Sequence, residues 1–335
     1  MRKQVKIKCQ NGFTVDGVVK QVLNVVSDVF DFIESDKPDF ILFGPYGIDI
    51  PKPGPYQRIG YFCENIIPDL SICDWAFGMM LESEINNPKY KHIQWHNLDP
   101  EEIVKKDWDA EKILASKTGF CNFLYSNPVP YREEFFRQLS KYKKVDAPGK
   151  RMNNMPSIDT QNAGGWWAAK NHFLESYKFT ISFENYVYPG YQTEKLYDAM
   201  LCKSLPIYCG DPNVGDVFNT KSFVNVPDIM NINQSGLVQF LERRSQANFV
   251  DILPQYHHSP KDRLQRKLKA IGRGLKMTLK FKGLDFSEVI DRIIAIDKDP
   301  ALYIAHMQQP WFKNNIVPAN TSLRDRWIQI FETSN

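Results

Sequence analysis

The sequence has no long apolar run, no closely paired cysteines and little net charge. In 335 residues no stretch approaches the roughly 20 apolar residues that a membrane-spanning helix needs. The Val5-Lys6-Ile7-Lys8 alternation is not the apolar core of a signal peptide. Cysteines 9, 63, 73, 121, 202 and 209 contain no CxxC pair, which predicts free thiols, a reducing compartment and no disulfide framework. The formal charge of +3 is too small to argue for nucleic acid, and no such partner is expected. GxGxxG and GxxxxGK[ST] are both missing, which disfavours NAD-binding and P-loop readings. No internal repeat is found.

What remains is a soluble globular composition, 43% hydrophobic and 24% charged, in a chain long enough for two domains. Residues 5 to 9 read as a strand. A helix is expected after Asp16, with Val18, Val19, Val22, Val25, Val26, Val29, Phe30 and Ile33 on one face and Pro38 as its stop. So many β-branched residues weaken it, and burial must hold it. Phe40 to Gly44 reads as a buried strand, Arg58 to Cys63 as the next, then Trp75 to Met80 and His92 to Trp95. Ligands in open parallel sheets bind beyond the carboxyl ends of strands, and Glu64 falls at such an end.

Charged, irregular residues 97 to 118 separate this half from the next. Asp107-Trp108-Asp109 and Asp297-Lys298-Asp299 are DxD triplets, but neither follows an apolar strand that would present it to a metal. His92 and His96 share a predicted strand, where a spacing of four does not converge, and His257-His258 has no further ligand in sight. No required metal or cofactor is predicted. Phe120 to Tyr125 reads as a strand, turned by Ser126-Asn127-Pro128 into a helix with Tyr131, Phe135, Phe136, Leu139 and Tyr142 on its apolar face. Arg132 falls in that helix's first turn, where the dipole disfavours a cation. The bland use of it is pairing with Glu133 or Glu134. Trp166 and Trp167 open another helix and are assigned to the core.

The chain is organised around Tyr177 to Gly210. Phe179, Ile181 and Phe183 alternate as a strand that ends on Glu184 and Asn185. A loop with Pro189 and Gly190 follows, and Thr193 caps a helix running to about Leu201, with Glu194 and Lys195 in its first turn. Leu205 to Cys209 is the returning strand. This β-α-β unit offers a helix N-terminus, a natural phosphate site, with a lysine beside it. A strand at Phe223 to Val226 and a helix near Leu237 to Leu241 follow.

Phe183-Glu184-Asn185, four residues, Gly190-Tyr191, one residue, Thr193-Glu194-Lys195-Leu196 resembles the donor-binding signature of α-1,3/4-fucosyltransferases. The resemblance extends to Tyr125-Ser126-Asn127-Pro128 and Lys221 to Val226, and covers roughly Arg58 to Val226. It implies the α/β GT-B fold, two Rossmann-like domains facing a cleft. An acceptor domain would span 1–110 and a GDP-fucose domain 111–300, with 301–335 crossing back to the first. Glu64, in Tyr61-Phe62-Cys63-Glu64-Asn65, matches the segment of the family's general base. Arg132 and Lys195 would hold the diphosphate, Glu194 the ribose, and Asn185 and Tyr191 would line the donor pocket. Glu184 is open to a structural role, satisfying backbone groups of its loop. The implied partners are GDP-fucose and an N-acetyllactosamine or lacto-N-biose type acceptor. The implied location is a bacterial-type cytoplasm.

The sequence departs from the family at Tyr186-Val187-Tyr188-Pro189, which is unusually aromatic, and at Cys209, where tryptophan is frequent. Two other readings stay open, a transferase of this fold using another nucleotide sugar and a degenerate, non-catalytic binder. Residues 261–282 form a basic insertion with nine Lys or Arg and one acid, Asp262. Leu264, Leu268, Ile271, Leu275 and Leu279 recur at helical spacing. Such a helix either packs its leucines on the domain or touches an anionic membrane at the inner face.

Overall fold

The computed structural model describes residues 2–93, 98–158, 164–233, 235–245, 247–248, 259–318 and 321–333. They form two α/β units. One comprises Met1–Asn97, Arg243–Ile271 and Ala319–Asn335, the other Leu98–Glu242 and Gly272–Pro318.

The first unit has strands β1 (Lys3–Gln10), β2 (Phe30–Glu34), β3 (Phe40–Phe43), β4 (Gln57–Phe62), β5 (Ile66–Ile67), β6 (Trp75–Gly78) and β7 (Tyr90–His92). All but β5 make one parallel sheet in the order β2-β1-β3-β4-β6-β7. β5 pairs in parallel with Ala247–Asn248. All four residues of β3 are buried, the unbroken apolar run of a strand covered on both faces. The C-terminal helix Thr321–Glu332 covers this sheet. Trp327 stacks on Phe77 at 4.1 Å, and Phe331 meets Phe30, Phe32 and Phe40 edge-on.

The long helix expected from Asp16 to Ile33 does not form. Thr14 caps a short helix, Val15–Gln21, by accepting from the Gly17 N–H, and a single 3₁₀ turn, Asn24–Val26, follows. The remainder becomes β2, pairing Lys3 with Phe30 through Ile7 with Glu34. The valines that gave a helical period also favour strand. Phe30 and Phe32 reach Phe331 from one face of β2, while Ile33, assigned to the buried helical face, is 41% exposed. The strand expected at His92 to Trp95 lies earlier, at Tyr90–His92. Trp95 and His96 fall outside the described residues, as does the His257-His258 pair.

The second unit has β8 (Gly119–Asn122), β9 (Val145–Asp146), β10 (Tyr177–Phe183), β11 (Leu205–Cys209) and β12 (Val224–Asn225), parallel in the order β12-β11-β10-β8-β9. Central β10 is buried at every position but Lys178. Helix Pro300–Gln308 stays with this unit, Tyr303 donating to the Lys178 carbonyl at 3.1 Å. Lys105 is held between the Trp108 and Trp311 rings, at 4.3 and 3.7 Å. All six cysteines are free thiols. Burial pushes those of Cys9, Cys73 and Cys202 up to about 12, which leaves them poor nucleophiles.

Candidate active site

The site in the second unit grows from the end of β10. Glu184 is fully buried, its N–H bonded to the Cys209 carbonyl at 2.8 Å. Its carboxylate accepts from the Thr193 backbone N–H at 2.8 Å and the Thr193 hydroxyl at 2.6 Å, and lies 3.3 Å from Lys195 Nζ. Glu184 therefore ties the strand end to the start of helix Glu194–Leu201. Gly210 allows this approach, because a Cβ there would stand 2.5 Å from Glu184 Cγ. Thr193 occupies the N-cap position, but its side chain does not cap. The hydroxyl is spent on Glu184, and the helix start keeps the donors that a capping side chain would have taken.

Arg132 comes from helix Pro130–Leu139 and is 3% exposed. Its Nη1 donates to Asn185 Oδ1 at 2.5 Å, and its plane lies over the Tyr125 ring at 4.7 Å. Its Nε is buried with no hydrogen-bond partner among the described residues. The expected alternative, pairing with Glu133 or Glu134, is taken by Arg137 instead. Burial pulls the guanidinium down from its usual range, against the upward pull of Tyr131 and Glu184. A buried cation bonded to an amide rather than a carboxylate is costly unless an anion completes it.

Lys195 lies 2.9 Å from the Thr193 hydroxyl and 3.5 Å from Glu194. Burial lowers its pKa, but Glu184 and Glu194 outweigh that and leave it raised. Burial pushes the Glu194 carboxyl up, and the Lys195 and Lys170 cations overcome it, holding the group at about 2. Lys170, from helix Trp166–Glu175, pairs with Asp198. Sequence reading passed over both residues. The available signal was Asp198 standing four residues after Glu194, on the same helix face.

The loop between strand and helix turns at Gly190, with φ +85°. Tyr191 is 1% exposed, packed against Tyr188 and Tyr186 at 4.9 and 5.8 Å. The aromatic departure at 186–188 is held by helix Pro260–Lys280. Arg273 donates to the Tyr186 hydroxyl at 3.1 Å, and Lys280 donates to the Val187 carbonyl. Trp166 and Trp167, assigned to the core, are instead 48% and 54% exposed. They stand in the first turn of their helix, after two glycines of positive φ.

In the first unit, Glu64 is exposed just past the carboxyl end of β4, and its carbonyl accepts from the Ile66 N–H at 2.7 Å. Among the described residues no three His, Cys, Asp or Glu side chains gather as a metal site. Asp109 and Asp299 cap helices, and Asp297 pairs with Lys178 at 2.7 Å. No helix among the described residues is long and apolar enough to cross a membrane.

Residues 114–251 match the family model of glycosyltransferase family 10 (fucosyltransferase), C-terminal part. The chain is 37% identical over 139 residues to the α-(1,3)-fucosyltransferase FucT of Helicobacter pylori, covering 41% of this chain and 27% of that protein. It is 31% identical over 181 residues to α-(1,3)-fucosyltransferase 4 of Bos taurus, covering 52% and 42%. The matched part thus spans less than half of these relatives' length. A crystal structure of an α1,3-fucosyltransferase with GDP-fucose superposes with a TM-score of 0.63 at 21% identity, over 100% of this chain and 92% of that one. The two parallel α/β units are the GT-B fold. The chain is thus similar over residues 114–251, less than half of its length, to the C-terminal part of glycosyltransferase family 10.

Proposed function

We propose that the chain transfers L-fucose from GDP-β-L-fucose to a hydroxyl of an N-acetylglucosamine or glucose residue in a lactosamine-type glycan, in α-1,3 or α-1,4 linkage. The observation that carries this is Arg132, a buried guanidinium whose Nε has no hydrogen-bond partner among the described residues, beside Lys195 at a helix start with no side-chain cap. Two cations and oriented N–H groups suit a diphosphate, the arginine offering a fixed fork and the helix end its dipole.

The reaction is a single displacement. The acceptor oxygen bonds to C1 of fucose as the C1–phosphate bond breaks, inverting the β donor to an α product. The acceptor proton goes to Glu64, a role worth roughly 10²–10⁴ in rate. The electron pair leaves with GDP, and the charge growing on its β-phosphate is stabilised by Arg132 and Lys195. Glu194, ionised down to about 2, accepts from the ribose hydroxyls. Asn185 borders the nucleotide and orients Arg132 through their hydrogen bond. Tyr191, buried, shapes the loop around it. No divalent cation is needed in this scheme, since side-chain cations meet the leaving group.

Transfer assays with GDP-fucose, GDP-mannose and a panel of UDP- and ADP-sugars test the donor assignment. GDP-fucose is expected to be the preferred donor. Preference for a UDP- or ADP-sugar would overturn it.

A further inference from the structure

Helix Pro260–Lys280 is turned the opposite way from an ordinary surface helix. Its large aliphatic side chains face outward: Leu264, Leu268, Ile271, Leu275 and Leu279 are 49–62% exposed. At about 100° per residue, these five fall within an arc of about 80°, one straight stripe. Its inward positions carry cations. Lys276 and Lys280 are buried against Glu242 at 3.7 and 2.8 Å. Those bonds fix the rotation of the helix. Rolling it to bury the leucines would leave Glu242 and Lys280 without their partners, the costly outcome for buried charges.

The stripe is therefore displayed, and an exposed apolar strip on a protein surface marks a contact. Its flanks identify the partner. Lys261 and Lys267 are exposed in the same half of the helix as Leu264 and Leu268. Residues 261–282 carry nine cations against one acid. A second copy of the helix would set cations against cations, whereas a self-complementary interface needs opposite charges on one patch. We propose that this face docks on an anionic phospholipid bilayer, with the leucines at the acyl boundary and the lysine and arginine heads at the lipid phosphates. The helix's buried face would meanwhile keep hold of the loop at Tyr186 and Val187.

Co-sedimentation of the full chain with vesicles tests this without any donor or acceptor. Vesicles of phosphatidylcholine with phosphatidylglycerol should bind the protein at low salt, and neutral phosphatidylcholine vesicles roughly thirtyfold more weakly, from the exposed Lys261 and Lys267. The double variant Leu268→Glu/Leu275→Glu changes only exposed positions. It should keep its melting temperature and bind anionic vesicles at least about tenfold more weakly. A second variant, Lys261→Glu/Lys267→Glu, should lose the preference for anionic over neutral vesicles. Wild-type protein that fails to bind anionic vesicles at low salt overturns the proposal. So does a leucine double variant that dissolves a dimer yet leaves vesicle binding unchanged, because a second copy then covers the stripe.

Discussion

Glu184 and Glu194 stand ten residues apart and do different work with the same functional group. Glu184 is fully buried and satisfies Thr193 and Lys195. Glu184→Ala should lower folding stability by about 2–4 kcal/mol, measured by urea unfolding, because Lys195 and the Thr193 N–H lose their acceptor. Unchanged stability would show that the loop does not depend on it. Glu194 is half-exposed, and its folded pKa of about 2 lies below the roughly 4.3 of an unfolded glutamate. A depressed carboxylate stabilises the fold fully above the unfolded value and loses that contribution as pH falls through the folded one. The stability difference between wild type and Glu194→Gln should be constant above about pH 5 and shrink towards pH 2. A difference that stays level to pH 2 would mean Glu194 is not held ionised. Arg132→Ala and Lys195→Ala should each weaken GDP binding by about 2–3 kcal/mol in calorimetry. Full affinity in both would place the diphosphate elsewhere. Asn185, Glu194 and Lys195 were legible as a motif, whereas the sequence left the role of Glu184 open, since burial and hydrogen-bond partners decide between ligand and scaffold.

At the scale of elements, strands buried on both faces were legible because their apolar runs are short and bounded. β3, β4, β10 and β11 lie within a residue or two of where their composition puts them. The failure was residues 15 to 34, where valines and phenylalanines fit a helical period and a strand equally well. Pairing with β1 and contact with Phe331 made the choice, and neither is local. Trp166 and Trp167 were misplaced for the opposite reason. Aromatic side chains are usually buried, and only the tertiary structure shows that these two are about half exposed. In the basic helix the amphipathic pattern was legible, but which face turns inward was not. That depends on Glu242, some forty residues away. Lys280 clamps the loop through the Val187 carbonyl and Glu242. Lys280→Met should raise KM for GDP-fucose several-fold with kcat changed less, and Lys280→Arg should restore most of it. Equal loss in both kcat and KM that Arg does not rescue would make Lys280 a general stability residue instead.

For the whole molecule, two α/β units were legible from length and from successive β-α-β patterns, and a return of the last segment, 301–335, to the first was expected, but not the point at which it turns back. Residues 319–335 join the first unit through Trp327 and Phe331, while helix Pro300–Gln308 stays with the second. The turning point has no local mark, because Trp327 and Phe331 are placed by contacts with distant residues such as Phe77 and Phe40. The proposed chemistry takes Glu64 as the base and Arg132 with Lys195 as the diphosphate site, and makes no use of a divalent cation. One measurement tests that account most directly: formation of fucosylated product from GDP-fucose and N-acetyllactosamine in the presence of EDTA, for wild type and Glu64→Gln. The account predicts substantial product from wild type, and a kcat lower by roughly 10²-fold or more for Glu64→Gln with GDP affinity unchanged. A Gln variant near the wild-type rate, or activity abolished by EDTA and restored by manganese, would contradict it.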